Sequence, residues 1–301
     1  MTTQAILYIL ITGFFFGTSL VASRFAVGQF EPIVYVGLRL LVSSLSFLLV
    51  YSVAGRRYAW PKGWHIWRHA IVLGLSSAIA MTGFTSALRY LSSGLTSIIS
   101  TAGPALTVIM AHYALADERL TWRKIAGVAL ALGGALLLIL RGESGLTEVT
   151  QVSGWGYGLL LFAMLVIAGN TIYIRRYTQE FEPFQLTSIQ VFAACLLVAP
   201  LSLWLVGIDW SGVNWQGIGA LLYAGIIGTF LSFILFLHIA QEFGATAAAM
   251  TNYINPVFAT LAGVLLLGET LTVGMGIGVA IIMMGVWLTN RRSRRRVPKI
   301  V

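Results

Sequence analysis

The chain has 301 residues, of which 58% are hydrophobic and only 10% charged, and its formal net charge is +9. A soluble domain usually carries about 25% charged residues, so this chain lacks the polar surface that water requires. The composition excludes an ordinary soluble fold and makes lipid the main solvent of the chain. The single cysteine, Cys195, excludes an intrachain disulfide, and its apolar surroundings predict simple packing.

Ten apolar runs are long enough to cross a bilayer, which takes roughly 17–25 residues each. In chain order, spans 1 to 10 lie near 4–23, 33–53, 69–88, 94–115, 123–140, 154–174, 184–206, 216–240, 245–267 and 273–289. The connections between them are short and leave no room for a separate soluble domain. The sequence therefore predicts an all-α integral membrane protein that forms a single membrane domain over residues 1–301.

The distribution of basic residues predicts the orientation. With a cytoplasmic N-terminus, fifteen of them lie in the inside segments: Arg56, Arg57, Lys62, Arg68, Arg119, Arg123, Lys124, Arg175, Arg176, Arg291, Arg292, Arg294, Arg295, Arg296 and Lys299. Three lie in the outside segments: Arg24, Arg89 and Arg141. This bias predicts that both termini lie in the cytoplasm. The expected location is a bacterial inner membrane. The basic tail, 291–301, is interpreted as an anchor on anionic lipid rather than as a nucleic-acid site.

The second half of the chain repeats the first at an offset of 151 residues. "DERLTWRKIAG" at 117–127 matches "GETLTVGMGIG" at 268–278, and "FEP" occurs at both 30–32 and 181–183. Pro104 and Pro256 differ by 152, which indicates one inserted residue between the copies. Five spans per copy is an odd number, so the repeats, about 4–140 and 155–290, are predicted to be inverted. Inverted repeats are typical of alternating-access carriers, whose site lies between the halves near the midplane.

Two long segments also resemble the halves of an EamA-type protein. They are "SGLTSIISTAGPALTVIMAHYALADERLTWRKIAGVALALGGALLL" (93–138) and "ATAAAMTNYINPVFATLAGVLLLGETLTVGMGIGVAIIMMGVWL" (245–288). The resemblance rests on the small-residue and proline pattern of spans 4 and 9, on their "ADE" and "LGE" ends, and on Glu31, Pro32 and Arg39. EamA-type proteins belong to the drug/metabolite transporter superfamily, which also includes nucleotide-sugar and triose-phosphate carriers.

This resemblance implies a carrier that exports amino acids or other small metabolites, with aromatic amino acid exporters as one branch. It also implies a central cavity lined by spans 1–4 and 6–9, with spans 5 and 10 at the periphery. It does not identify the substrate. A membrane-embedded receptor or assembly factor without transport is the alternative function, and a membrane enzyme acting on lipids is a third.

Arg39 is the only charged side chain well inside a predicted span, roughly 10 Å along the helix from Pro32. An ionised group at this depth is costly and is a functional candidate by default. Its planar fork would match a carboxylate on the substrate. The alternative is an internal brace, bonded to helix-end carbonyls or to Glu31 or Glu269. The matching residue of the second repeat is Gln190, which is uncharged, so the site is predicted to be asymmetric.

The other substrate-binding candidates are polar or aromatic residues inside spans: Phe14, Thr18, Thr82, Thr85, Asn170, Gln190, Tyr223, Asn252, Tyr253 and Asn255. Two pairs, Thr82 with Thr85 and Asn252 with Asn255, have a spacing of three that places each pair on one helical face. For a serine or threonine the alternative is a hydrogen bond back to its own helix. For the aromatic residues the alternative is packing or contact with lipid.

Motifs for enzymatic chemistry are missing from the sequence, which has no HExxH, no P-loop and no cluster of metal ligands. We therefore predict no catalytic residues, no metal and no cofactor. Six glycines of spans 5 and 10 are interpreted as packing or a dimer surface: Gly127, Gly133, Gly134, Gly274, Gly278 and Gly285. The expected state is a monomer or a weak homodimer through these two spans.

Overall fold

The computed structural model describes residues 3–54, 60–61, 63–114, 120–146, 154–178, 180–243 and 245–290. Over these ranges the chain forms the α-helices α1 to α12 and one π-helical turn between α9 and α10. Their bounds are Thr3–Ala26, Pro32–Val53, Trp64–Ala87, Ser93–Ser100, Gly103–Ala114, Trp122–Leu140, Gly154–Tyr177, Pro183–Leu205, Trp215–Gly225, Ile226–Leu231 (the π-helical turn), Ser232–Glu242, Ala245–Leu267 and Val273–Asn290. The basic tail 291–301 and residues 115–119 of an inside loop lie outside the described residues.

The predicted all-α membrane fold of ten spans is confirmed. In the described part of the chain, nine helical segments are long and apolar enough to cross a membrane, and Val273–Thr289 is a slightly shorter apolar helix. Helices α4 and α5 together form span 4, whereas α9, the π-helical turn and α10 form span 8. Helix α3 begins at Trp64, five residues before the start predicted for span 3, and includes Arg68 and two histidines in its first turns.

The helices recur with the repeat. Helices α2 and α8 begin at Pro32 and Pro183, and α3 and α9 begin at Trp64 and Trp215, so each pair is separated by 151 residues. Proline suits the first turn of a helix, where its missing N–H has no intrahelical partner to lose. Because each repeat contains five spans, the same helix runs in opposite directions across the membrane in the two repeats.

The two proline-containing spans differ from one another. In span 4 the helix is interrupted at Thr101 and Ala102, directly before the Gly103–Pro104 pair. The Thr101 hydroxyl bonds back to the carbonyl of Ile98 at 2.6 Å, which satisfies one of the carbonyls that the interruption leaves. In span 9, by contrast, Pro256 lies inside the continuous helix α11. Of these two proline-containing spans, only span 4 has a break in its helix.

Helices α6 and α12 pack closely against each other through glycines of both repeats. A Cβ on Gly127 would lie 2.6 Å from the carbonyl oxygen of Gly285, and a Cβ on Gly285 would lie equally close to that of Gly127. Gly278 faces Leu138 in the same interface. These glycines therefore pack within one chain, as one of the two interpretations expected. The weak homodimer through these helices stays a prediction.

Candidate functional site

Arg39 lies at the centre of a polar group that we call the arginine cluster: Ser19, Ser23, Arg39 and Thr229. Its guanidinium donates from Nε to the Thr229 hydroxyl at 2.8 Å, from Nη1 to the Ser23 hydroxyl at 3.0 Å and from Nη2 to the Ser19 hydroxyl at 3.2 Å. The cluster therefore joins α1, α2 and the π-helical turn. It surrounds a cation with neutral hydroxyl groups.

The carboxylates that the sequence suggested as partners of Arg39 bond elsewhere. Glu31 pairs with Arg89 at 2.9 Å, and Glu269 accepts hydrogen bonds from the backbone and hydroxyl of Ser93. Within the residues that the structure describes, no carboxylate lies in salt-bridge range of Arg39. The two carboxylates that the brace alternative named therefore do not contact Arg39, because Arg89 holds Glu31 and the start of α4 holds Glu269.

Asn170 and Gln190 meet through a residue that the sequence reasoning missed. The Asn170 side-chain amide donates to the Ser77 hydroxyl at 3.1 Å, and the Gln190 amide donates to the same oxygen at 2.5 Å. We call Ser77, Asn170 and Gln190 the glutamine cluster, which joins α3, α7 and α8. The Oδ1 atom of Asn170 is buried without a hydrogen-bond partner, so this cluster retains an unused acceptor.

The two clusters occupy matching positions of the two repeats. Arg39 corresponds to Gln190 and Ser19 to Asn170, each at an offset of 151. Arg39 and Gln190 both lie seven residues past the proline that begins their helix, which is about 10 Å at 1.5 Å per residue. Since α2 and α8 begin at opposite membrane faces, one cluster lies nearer each face. The pair is therefore symmetric in position and asymmetric in charge.

A second contact between repeats lies close to the arginine cluster. The Thr18 hydroxyl bonds back to the carbonyl of Phe14 at 2.6 Å and also lies 2.7 Å from the hydroxyl of Tyr223. Phe14 is 42% exposed and packs edge-on against Phe258 of α11 at a ring distance of 5.2 Å. Three of the predicted candidates, Phe14, Thr18 and Tyr223, are therefore neighbours on α1 and α9.

The remaining predicted candidates do not join one group. Thr85 is buried and Thr82 half-buried on α3, whereas Asn252 is exposed on α11. Asn255 is half-buried, and its Oδ1 atom has no hydrogen-bond partner. Tyr253 lines an apolar groove of about 300 Å³ between α4, α11 and α12.

A polar cavity of about 270 Å³ lies at one end of the bundle, between the α1–α2 and α8–α9 connections. It contains the Glu31–Arg89 ion pair and Asp209. The hydroxyl and the backbone N–H of Ser211 both donate to Asp209 and hold the pKa of that carboxyl below its ordinary value. This cavity includes neither Arg39 nor Gln190, so it is separate from both clusters.

Sequence reasoning missed Ser23, Ser77 and Thr229, which supply hydroxyl partners in the two clusters. Small hydroxyl residues are common in membrane helices, and their usual bond to their own helix makes them hard to single out. The repeat offers the one usable signal. Each cluster residue of one repeat has a counterpart about 151 residues away in the other. A serine or threonine close to such a counterpart is a better candidate for a cluster partner than one elsewhere in the same span.

A family model described as the EamA-like transporter family matches residues 3–140 and 154–291, which is nearly the whole chain in two copies. A protein of Bacillus subtilis (strain 168) named "Uncharacterized transporter YwfM" is 25% identical over 291 residues, which cover 96% of this chain and 95% of that protein. A protein of Archaeoglobus fulgidus named "Uncharacterized transporter" is 23% identical, with 92% of this chain and 95% of that protein covered.

A protein of Chlamydia trachomatis serovar L2 named "S-adenosylmethionine/S-adenosylhomocysteine transporter" is 26% identical over 311 residues, covering 97% of this chain and 91% of that protein. A solved crystal structure superposes with a TM-score of 0.65 at 20% identity and covers 96% of this chain and 97% of that one. That superposition shows a shared fold.

Proposed function

We propose that this chain, which belongs to the EamA-like transporter family, is a secondary carrier for amino acids or similar small metabolites. Aromatic amino acids are one option among them. Export proceeds by alternating access to a central cavity between the inverted halves. The protein is a multi-pass membrane protein, and we place it in a bacterial inner membrane with both termini in the cytoplasm.

The observation that carries the proposal is the pairing of Arg39 with hydroxyl groups alone. Burying a cation in the membrane is costly unless an anion or a set of oriented dipoles compensates it. The hydroxyls of Ser19, Ser23 and Thr229, together with the neighbouring Tyr35 hydroxyl, surround the Arg39 guanidinium. No carboxylate of the described residues does so. A carboxylate on the solute would supply the missing anion while it is bound.

The geometry of the guanidinium also suits a solute carboxylate. The group has five N–H donors in one plane, and the bonds to Ser19, Ser23 and Thr229 engage three of them. A carboxylate could accept bidentate bonds from such a fork, which an ammonium group cannot offer. The contribution of Arg39 is thus orientation and charge compensation for an acidic group.

The asymmetry between the clusters supports transport of an asymmetric solute. Gln190 and Asn170 present amide groups at the position where the first repeat presents Arg39 and Ser19. The unpartnered Oδ1 of Asn170 is an acceptor that suits a donor group of the solute, such as an ammonium. The neighbouring Phe14 and Tyr223 would contact an apolar or aromatic side chain.

The relative from Chlamydia trachomatis is compatible with this chemistry. S-adenosylmethionine and S-adenosylhomocysteine each carry an α-amino acid group with a free carboxylate, although both are much larger than a free amino acid. The proposal for this chain therefore commits to the shared carboxylate-bearing group rather than to one named solute.

The competing function is a membrane receptor or assembly factor that transports nothing. The deciding experiment reconstitutes the purified protein into liposomes and follows entry of a panel of labelled amino acids and metabolites, with empty liposomes as the control. Saturable flux of at least one carboxylate-bearing solute, reduced by unlabelled competitor, is the expected result. No flux for any member of the panel would favour the competing function.

A further inference from the structure

The repeats stay in register up to the centre of spans 3 and 8. A Cβ on Gly74 would lie 2.9 Å from the carbonyl oxygen of Gln190, and a Cβ on Gly225 would lie 3.3 Å from that of Arg39. Gly74 corresponds to Gly225, and Gln190 to Arg39, all at the same offset of 151. The two repeats therefore make the same close helix contact at equivalent positions.

Only a few residues further along the chain, the offset between matching residues of the two repeats has increased from 151 to 152. The Ser77 hydroxyl accepts a hydrogen bond from Gln190, and the Thr229 hydroxyl accepts one from Arg39. Ser77 and Thr229 thus have the same role in the two clusters, but they are 152 residues apart. The extra residue of the second repeat must therefore lie between Gly225 and Thr229.

The structure accommodates this extra residue inside the helix. Helix α3 is α-helical throughout Trp64–Ala87, whereas Ile226–Leu231 in its counterpart forms a π-helical turn. Since a π-turn closes its hydrogen bond one residue later than an α-turn, it holds one more residue in a single turn. Such turns are rare and tend to occur at functional sites, and this one supplies a partner of Arg39.

Hydroxyl groups satisfy the carbonyls of the widened turn. Thr229 donates to the carbonyl of Ala224 at 3.1 Å, and Ser232 donates to that of Ile227 at 2.6 Å, each five residues back. The carbonyl of Gly225 accepts a bond at 2.7 Å from Ser43 on α2. The Thr229 hydroxyl therefore gives its proton to its own helix, which directs its lone pairs towards the Nε–H of Arg39.

Gly228 provides the space that this arrangement needs. A Cβ at this position would overlap the hydroxyl of Ser19 and would lie 3.4 Å from Nη2 of Arg39. In this turn, Gly228 has no side chain to crowd the guanidinium, and Thr229 at the next position supplies a hydroxyl to it. Both features depend on the extra residue.

We propose that Thr229 is a positioning residue that orients the Arg39 guanidinium towards the solute carboxylate, and that the inserted residue of the second repeat places Thr229 there. This inference rests on the proposed function for its effect on affinity. Its geometric part, the Nε–H bond from Arg39 to Thr229, stands independently of any substrate. The expected consequence is selective: loss of the hydroxyl weakens binding of carboxylates and spares solutes that lack one.

The geometric part is tested by NMR of 15N-arginine-labelled protein in nanodiscs, with the Arg39 Nε–H resonance assigned from its loss in Arg39→Lys. Thr229→Val should accelerate hydrogen exchange of this N–H by at least about tenfold, which corresponds to about 1.4 kcal/mol. Thr229→Ser keeps the hydroxyl and should preserve slow exchange. Thr171→Val is the matched control, because that hydroxyl bonds only to its own helix on an exposed face. Equal exchange in Thr229→Val and wild type would overturn the proposal.

The effect on affinity is tested in proteoliposomes with L-phenylalanine, 3-phenyllactate and L-phenylalaninamide as transported solutes or competitors. Thr229→Val should raise the KM or inhibition constant of the two carboxylates about tenfold at unchanged maximal rate, with little change for the amide and rescue by Thr229→Ser. An equal change for all three solutes would refute the positioning role. If no carboxylate is transported or competes, the proposed function fails, while the exchange measurement still decides whether Thr229 holds Arg39.

Discussion

The Glu269 carboxylate of the second repeat caps the helix that begins at Ser93 in the first repeat. Its Oε1 accepts the backbone N–H of Ser93 at 2.7 Å and its Oε2 accepts the hydroxyl at 2.8 Å, while the N–H of Gly94 donates at 3.1 Å. The carboxylate is buried, with 6% of Glu269 exposed. A helix N-terminus favours an anion because its first N–H groups lack intrahelical partners. This contact therefore ties the two repeats together at one end of the bundle.

Replacing this carboxylate should cost stability. Glu269→Gln removes the charge and turns an NH₂ group towards donors, so we expect a loss of roughly 1.5–3 kcal/mol. Thermal unfolding in detergent measures the change. Glu31→Gln is the matched control, since it breaks the exposed pair with Arg89 and should cost less than about 1 kcal/mol. Equal midpoints for Glu269→Gln and wild type would show that the cap contributes nothing.

The packing of α6 on α12 predicts opposite effects for two neighbouring glycines. Gly127→Ala should destabilise the protein by about 1–3 kcal/mol, because its Cβ would meet the backbone of Gly285. Gly133→Ala should be neutral or slightly stabilising, since its Cβ would meet open space and alanine favours the helix. Unfolding midpoints of the two variants provide the comparison. The same loss in both would argue that close packing of these helices is not what Gly127 provides.

Arg39 should distinguish solutes by their carboxylate. Arg39→Lys keeps a positive charge but loses the planar fork, and Arg39→Gln loses both, so affinity for acids and amino acids should fall in that order by about tenfold or more. Uncharged amides should change much less. Competition assays in proteoliposomes measure both classes, with Arg89→Gln as a control arginine at the periphery. A uniform loss for every solute, accompanied by poor folding, would identify Arg39 as a structural brace.

The inverted topology predicts opposite accessibility for matched loops. On a Cys195→Ala background, a cysteine at Glu118 should react with an impermeant reagent from the cytoplasmic face, and one at Thr270 from the outer face. Cys195 is buried, so its replacement by alanine should leave both loops unaltered. Labelling of intact cells and of inverted vesicles provides the two readouts. If both positions react from the same face, the membrane orientation proposed for the repeats is wrong.

We predict that solute transport is not coupled to a proton or ion gradient, so that the solute moves down its own concentration gradient. Proton-driven carriers commonly hold a carboxylate inside the membrane, whereas Glu269 here lies in the α11–α12 connection and caps a helix. Exchange and net flux in proteoliposomes without an ion gradient are the expected results. His112, in the last turn of α5, is a second group that could carry a proton. Accumulation driven by an imposed pH gradient, and abolished by Glu269→Gln or His112→Ala with exchange intact, would contradict this prediction.

Much of the architecture could be predicted from the sequence because its causes are local. Ten apolar runs, an offset of 151 residues and an odd number of spans per copy require an inverted membrane fold, whatever the side chains later contact. The depth of Arg39 and its match with Gln190 follow from the same counting. Even the extra residue of the second repeat is visible in the spacing of Pro104 and Pro256.

The partners of these residues depended on tertiary structure. Hydroxyls such as Ser23, Ser77 and Thr229 look alike in a sequence, because each could equally bond to its own helix. Only the packing of α1, α2 and the π-helical turn brings three of them to Arg39, and only the packing of α11 and α12 on α4 buries Glu269 against Ser93. The reason is physical: helix rotation and close approach set these contacts, and both arise from long-range packing that no local pattern of residues specifies.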